Sequence, residues 1–487
     1  MMIDKLLTRL FLKVSLHGKI EKILDMDEYL NKAKLVELGI FDSNWYLVRY
    51  PDIKNAGVNP YVHYMIHGWK ENREISPKFE IHTLKAILNI GDVNPIAHLR
   101  NMETDLLNRA IDSLNVKKNE SSCLVFRKTR LTKGISIIGH FTSEIGLGEA
   151  SRNIAYALDS ASVPSSFIDI KLVNRSNDTA FESKCNNVQD RLTNFVICGI
   201  IDANHFFNKL EPGRVNCLYP SWELSRIPKE LKKQLSQYDF LFAPSQFIGD
   251  ALSETFNQKI TVLRQPVSTS FQYKEKSKSD SVLRIICYFD FDSHIARKNP
   301  KAAIEAFKLA FPPRDDSAML TIKVRGMGNN IDRQLLEKYV ARDPRIKVID
   351  KTLSRFEMNE LIASHDVLLS THRSEGFGFA PAEALAVGKV VVSTDYSGTR
   401  DFINELTGYP VHYDLVRVKD NEYPHAEDQF WANPSIDHAA SCLREIHSNW
   451  ETAKSKGIVG LNFMKDHYSP IAVGESFSKI LSDYELI

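Results

Sequence analysis

Long hydrophobic runs are missing from this chain: none of its apolar stretches approaches the roughly 18 to 20 residues that a membrane-spanning helix needs. Its first residues also lack the apolar segment and small-residue cleavage site of a secretory signal, so a cytoplasmic protein is expected. Cysteine is scarce, with six in 487 residues. Cys123, Cys185, Cys198, Cys217, Cys287 and Cys442 are scattered, without a C-x-x-C pair or a histidine at metal-ligand spacing. They read as buried thiols in a reducing compartment. Net charge is nearly absent as well: 62 Lys and Arg against 61 Asp and Glu leave +1, which argues against nucleic acid as a partner. With 43% hydrophobic residues, the composition is that of a globular protein long enough for two or three domains.

The most informative stretch runs from Leu368 to Asp401, LLSTHRSEGFGFAPAEALAVGKVVVSTDYSGTRD. Val367, Leu368 and Leu369 read as a buried strand, Gly376 and Gly378 as a turn, and Ala380, Pro381 and Ala382 as the opening of a helix. A helix entered through glycines offers free N–H groups and the positive end of its dipole to an anion. Glu375 and Glu383 flank that mouth, with seven residues between them. An anion site between two carboxylates suited to hydroxyl groups points to a nucleotide-sugar.

The pattern E-G-F-G-x-x-x-x-E followed by A-x-x-x-G-K-V-V-V-S-T resembles the E-x7-E signature of retaining glycosyltransferases of family four, which have the GT-B fold. The resemblance implies an α/β protein with two Rossmann-like domains facing a cleft. It places Glu375 against the donor hexose, Glu383 on the ribose hydroxyls, and Gly376, Phe377, Gly378 and Phe379 toward the diphosphate and sugar.

Before this region the chain changes character twice. Residues 1–125 are expected to form a helical module. Within it, residues 1–17 form an amphipathic basic helix with Lys5, Arg9 and Lys13 beside Leu6, Leu10 and Phe11, which either caps the next segment or lies on an anionic membrane surface. The tetrad V-N-P with a following His occurs at Val58, Asn59, Pro60 and His63 and again at Val93, Asn94, Pro95 and His98, an offset of 35 residues. Asn before Pro suits a helix start in both copies. His63 and His67 could nominally bind a metal, but the interleaved Tyr, Trp and Met fit a small helical core better. The F-D-x-x-x-Y-L and H-G-x-x-E-x-R elements resemble a module that accompanies glycosyltransferase domains of bacterial surface-polysaccharide enzymes. That implies scaffolding or contact with other polysaccharide-assembly proteins.

Residues 131–273 are expected to form the acceptor Rossmann-like domain. GISIIG (Gly134 to Gly139) is its first strand, and Gly146 and Gly148 form a turn suited to phosphate before a helix from about Glu149. A strand ending near Ile201 places Asp202 to His205 at the carboxyl edge, so His205 is an acceptor-side candidate. Glu223, in a W-E-L-x-x-I-P element that resembles the same polysaccharide branch, is another. The charged run Lys274 to Ser281 reads as a linker.

Residues 282–467 are expected to be the donor domain, with residues 468–487 a C-terminal helix crossing back to the first after a break at Tyr468, Ser469 and Pro470. The R-K-N-P element assigns Lys298, and beside it Arg297, to the diphosphate, although the arginine usual in the family five residues earlier is replaced by Ser293. Asp290 and Asp292 spell D-x-D, but cations and a helix end already supply positive charge, so no metal or other cofactor is expected. The expected reaction is transfer of a hexose, mannose by overall resemblance, from a nucleoside diphosphate sugar to a lipid-linked oligosaccharide in O-antigen or capsule synthesis. It would occur in the cytoplasm, peripherally at the inner face of the membrane through residues 1–17. A nucleotide-sugar epimerase, a phosphorylase and an inactive GT-B scaffold are the alternatives.

Overall fold

Strands that are apolar on both faces, separated by helical stretches, suit parallel pairing, because each crossover helix covers a face of the sheet. A computed structural model describes residues 41–58, 60–76, 81, 94, 131–172, 179–211, 213–268, 282–326, 330–340 and 343–487. The expected helix at residues 1–17, the linker at 274–281 and all of the second V-N-P copy except Asn94 lie outside the described residues. The chain divides into two units, Met1–Thr129 and Arg130–Ile487.

In the first unit, Asp42 caps α1 (Ser43–Arg49) by accepting from the Trp45 N–H at 2.9 Å, and Pro51 opens α2 (Pro51–Ala56). Gly57 ends α2 with φ +65°, and Pro60 opens α3 (Pro60–His63). The rings of Tyr46, Tyr61 and Tyr64 pack round Phe41, with centroids 5.4 to 5.9 Å from it. His63 belongs to this cluster, its Nδ1 lying 3.0 Å from the Tyr46 hydroxyl.

The second unit holds two six-stranded parallel sheets and a hairpin. The first sheet contains β1 (Thr132–Gly139), β2 (Ser165–Asp169), β3 (Arg191–Gly199), β4 (Val215–Ser221), β5 (Phe240–Ala243) and β6 (Thr261–Val262) in the order β2-β1-β3-β4-β5-β6. Helix α4 (Gly146–Ser160) follows β1, and α5 (Ala203–Phe207) follows β3. The order turns back between β1 and β3, and at such a reversal the two following loops part and leave a crevice at the carboxyl ends of the strands.

The second sheet contains β7 (Leu283–Asp290), β8 (Ala318–Arg325), β9 (Ile346–Asp350), β10 (Val367–Ser370), β11 (Val390–Thr394) and β12 (Tyr409–Val411) in the order β12-β11-β10-β7-β8-β9. Its reversal falls between β7 and β10. The short α6 (Ile295–Lys298) and α7 (Pro300–Ala310) follow β7, α8 (Arg355–Ala363) follows β9, and α9 (Phe379–Ala386) follows β10.

Two later segments reach the first sheet's domain. The antiparallel hairpin β13 (Tyr413–Arg417) and β14 (Phe430–Pro434) contributes Trp431, and its connection contributes Tyr423 and Ala426, to the core that contains Trp222, Leu224 and Leu231. Helix α10 (Trp450–Tyr468) ends at Ser469, whose hydroxyl caps α11 (Pro470–Asp483) with Pro470 in its first turn. Val473, Phe477 and Leu481 of α11 join Ile135, Ile154 and Phe195 in the core. The Thr193 hydroxyl donates to the Leu486 carbonyl at 3.0 Å, so the C-terminus is tied to the first sheet. Together these elements make the GT-B architecture, with a cleft of about 520 Å³ between the two sheets.

Candidate functional site

The loop after β10 is fixed by its backbone before any side chain is considered. Gly378 has φ +96°, a conformation that costs a side-chain-bearing residue energy, and it is the residue from which α9 springs. The Glu375 N–H donates to the Ser397 hydroxyl at 2.8 Å, and the Gly398 N–H donates to the Glu375 carbonyl at 2.9 Å. A Cβ on Gly376 would lie 2.6 Å from the Trp222 carbonyl, so this glycine lets the end of β4 approach the loop. The Ser245 hydroxyl, also from the first sheet's domain, donates to the Gly376 carbonyl.

The segment after β7 is laced to the same loop. Asn299, at φ +50°, donates to the Thr371 carbonyl at 3.1 Å and accepts from the Thr371 hydroxyl at 3.0 Å. The Arg297 guanidinium donates to the Ser374 carbonyl at 2.9 Å. These contacts bring Lys298 Nζ to 2.6 Å from one Glu375 oxygen and Arg297 Nη1 to 3.0 Å from the other. Burial alone would raise the Glu375 carboxyl, which is only 8% exposed, but Lys298 and Arg297 hold it down at about 2. The three residues therefore form a buried cluster at the switch point of the second sheet, in which burial lowers the Lys298 pKa against the opposing pull of Glu375.

Glu383 points elsewhere than toward its own loop. It accepts from the Tyr288 hydroxyl at 2.9 Å and pairs with Arg355 at 2.6 Å. Tyr288, near the end of β7, also reaches the Ala380 carbonyl at 3.1 Å, so it fixes both the carboxylate and the start of α9. Arg355, the first residue of α8, lies 3.4 Å from Glu149 on α4 of the opposite domain. Its pKa is raised, first by Glu383 and then, against the opposing effect of burial, by Glu149.

Glu375, Glu383, Arg297, Lys298, Gly376, Phe377, Gly378, Phe379, Gly146 and Glu223 all line the cleft. Gly148 does not; it lies one turn into α4, where a Cβ would collide with the Ser143 carbonyl. Its role is to shape the turn that presents Gly146. Glu223 accepts from the Tyr423 hydroxyl and lies 3.9 Å from Arg297. His205 departs from expectation. β3 ends at Gly199, earlier than Ile201, and a 3-10 turn then carries the chain into α5, leaving His205 exposed and outside the cleft lining. Asp202 occupies the edge instead.

Asp290 accepts from the Asp292 N–H at 2.9 Å and pairs with Arg325 at 3.0 Å, so it caps the turn after β7. Sequence reasoning missed Tyr288, Lys323, Arg325, Arg355 and Tyr423 in the cleft. Tyr288 and Lys323 lie two residues before the ends of β7 and β8, Arg325 ends β8 and Arg355 opens α8, and the carboxyl edge of an open sheet is where ligand-facing residues gather.

Residues 285–421 match the family described as Glycosyl transferases group 1. No curated protein matches the chain. Among solved structures, Anabaena HepE in complex with UDP and glucose is 12% identical, with 72% of this chain and 100% of HepE covered and a TM-score of 0.51. The lipopolysaccharide outer core galactosyltransferase WaaB is 15% identical, with 72% and 99% covered and a TM-score of 0.50. TarM of S. aureus is 14% identical with a TM-score of 0.46, and the match covers 62% of this chain but only 57% of that longer one. The second sheet and its loops are thus similar to the glycosyl transferases group 1 domain, set within a GT-B fold.

Proposed function

We propose that the protein is a retaining, family-four-like glycosyltransferase that moves a hexose from a nucleoside diphosphate sugar to a hydroxyl of a lipid-linked oligosaccharide. The observation that carries this reading is the Glu375, Lys298 and Arg297 cluster at the mouth of α9. Negative charge developing on a departing diphosphate would meet Lys298, Arg297 and the free amides of Gly376 to Phe379, positive groups already in place before reaction. Glu375 would orient the hexose, and Glu383, steadied by Tyr288 and Arg355, would accept from the ribose hydroxyls. The leaving diphosphate would take the acceptor's proton on the same face, which retains the anomeric configuration without a separate acid and base pair. The same positive charge makes a divalent ion unnecessary.

HepE, with a bound UDP, supports a nucleotide-sugar donor, and WaaB supports a saccharide acceptor on a lipid. Mannose as the hexose, a place in O-antigen or capsule synthesis and a cytoplasmic site rest on the sequence resemblance. No described helix is long and apolar enough to cross a membrane, so the basic residues of 1–17 are proposed to bring the site to anionic lipid. Melting temperatures with GDP, UDP, dTDP and CDP identify the base, since a ligand of the folded state raises them. Product analysis with EDTA present, with and without an acceptor, then tests the reaction. Transfer with retention supports the reading, whereas an altered donor in the absence of acceptor would make the protein an epimerase.

A further inference from the structure

Six cationic side chains line the cleft: Arg152, Arg297, Lys298, Lys323, Arg325 and Arg355. Five are matched by carboxylates: Arg152 by Glu149 at 3.0 Å, Arg297 and Lys298 by Glu375, Arg325 by Asp290 at 3.0 Å and Arg355 by Glu383. Lys323 is the exception. It is 5% exposed, yet among the described residues it makes no hydrogen bond or ion pair. Its ammonium lines the cleft with no hydrogen-bond or ion-pair partner among those residues, so it is open to an anionic ligand there.

Its position says which ligand. In the parallel register of β7 and β8, Lys323 is the direct partner of Tyr288, and the two side chains stand on the same face of the sheet. Tyr288 reaches both the Ala380 carbonyl at the start of α9 and Glu383, and Lys323 stands one strand further from α9 on the same face of the sheet, lining the same cleft. We propose that Lys323 supplies a counter-charge for the donor's diphosphate, donating to one of its phosphate oxygens from β8 while Lys298 and Arg297 act from α6. A phosphate carries the formal negative charge that the other five cations meet in a direct ion pair and Lys323 does not. A carbonyl of the base carries only a dipole. Burial, and next Arg325, lower the Lys323 pKa to about 8, so the group is still mainly charged at neutral pH. Asp290, Asp350 and Glu144 act in the opposite sense.

This inference rests on the nucleotide-sugar reading, and its test separates the two. Full-length wild type, Lys323→Met and Lys323→Arg are titrated calorimetrically with GDP, UDP, dTDP and CDP and with their nucleosides, and the ligand-free proteins are melted. The expected result is that Lys323→Met binds the preferred diphosphate at least about tenfold more weakly, the scale of a hydrogen bond to a charged group. Its affinity for the matching nucleoside should be unchanged, and Lys323→Arg should recover most of the diphosphate affinity. Ligand-free Lys323→Met should melt no lower than wild type, because the buried charge is gone. Unchanged diphosphate affinity in Lys323→Met overturns the inference, as does an equal loss for the nucleoside, which would move Lys323 to the base or ribose. A lower melting temperature in Lys323→Met would make the lysine structural and overturn it too. Wild type that binds none of GDP, UDP, dTDP and CDP would sink the nucleotide-sugar reading itself.

Discussion

Arg355 on the second domain lies 3.4 Å from Glu149 on the first, and the same guanidinium holds Glu383 at 2.6 Å. The carboxylate assigned to the donor ribose and a contact that closes the cleft thus share one side chain. Ribose contacts do not change as the glycosidic bond breaks, so loss of this group should appear in binding more than in turnover. Arg355→Gln is expected to raise the donor KM roughly tenfold, the scale of one charged hydrogen bond, with kcat within about threefold of wild type. Glu383→Ala should behave alike. A large fall in kcat at unchanged KM in either variant would remove both residues from the ribose.

Gly398 gives a prediction of a different kind. A Cβ there would run into the Gly376 carbonyl, and the Gly398 N–H holds the Glu375 carbonyl, so the residue cannot grow without moving the Glu375 loop. Gly398→Ala is expected to cost about 1 to 3 kcal/mol of stability, as overpacking of a tight core does, and to lower turnover by more than that loss of folded protein explains. Chemical denaturation and specific activity of the soluble fraction measure the two effects separately.

The Glu375 cluster predicts a pH dependence. The carboxyl titrates at about 2 in the folded protein and near 4.3 when unfolded, so its ionisation stabilises the fold above the higher value, and that contribution is lost as pH falls through the lower one. Glu375→Gln has no carboxyl to ionise there. The gap in melting temperature between wild type and Glu375→Gln should therefore shrink steadily from pH 5 to pH 2.5. A gap that stays constant over that range would mean that Lys298 and Arg297 do not hold the carboxylate ionised.

Local features of the sequence carried much of this site. The E-x7-E loop is a strand, a glycine turn and a helix within 20 residues, and R-K-N-P is a helix start, so both were readable without knowing what lay opposite. Tyr288 was visible as a residue in a strand, but its bonds to Glu383 and Ala380 depend on β10 pairing with β7, which no local pattern states. Arg355 opens α8, yet its two glutamates come from separate domains. The hairpin β13–β14 left no clean alternation, since Leu415 on β13 and Phe430 on β14 are exposed while Trp431 is buried against the other domain. Its Tyr423 meets Glu223, 200 residues earlier. His205 stands outside the cleft lining because β3 ends at Gly199 and a 3-10 turn leads into α5, a local detail that the apolar run did not mark.

The central claim is that Glu375, with Lys298 and Arg297, forms a metal-independent centre for transfer from a nucleoside diphosphate sugar. The most direct measurement is release of nucleoside diphosphate from a panel of GDP-, UDP-, dTDP- and CDP-sugars, in EDTA and with an acceptor, by wild type and Glu375→Gln whose folding has been checked by melting. The account predicts that wild type turns over one donor in the presence of EDTA and that Glu375→Gln is slower by at least about a hundredfold, the scale of losing one preorganised electrostatic contact. Wild-type rates in Glu375→Gln, or activity that vanishes in EDTA and returns with manganese, would contradict it.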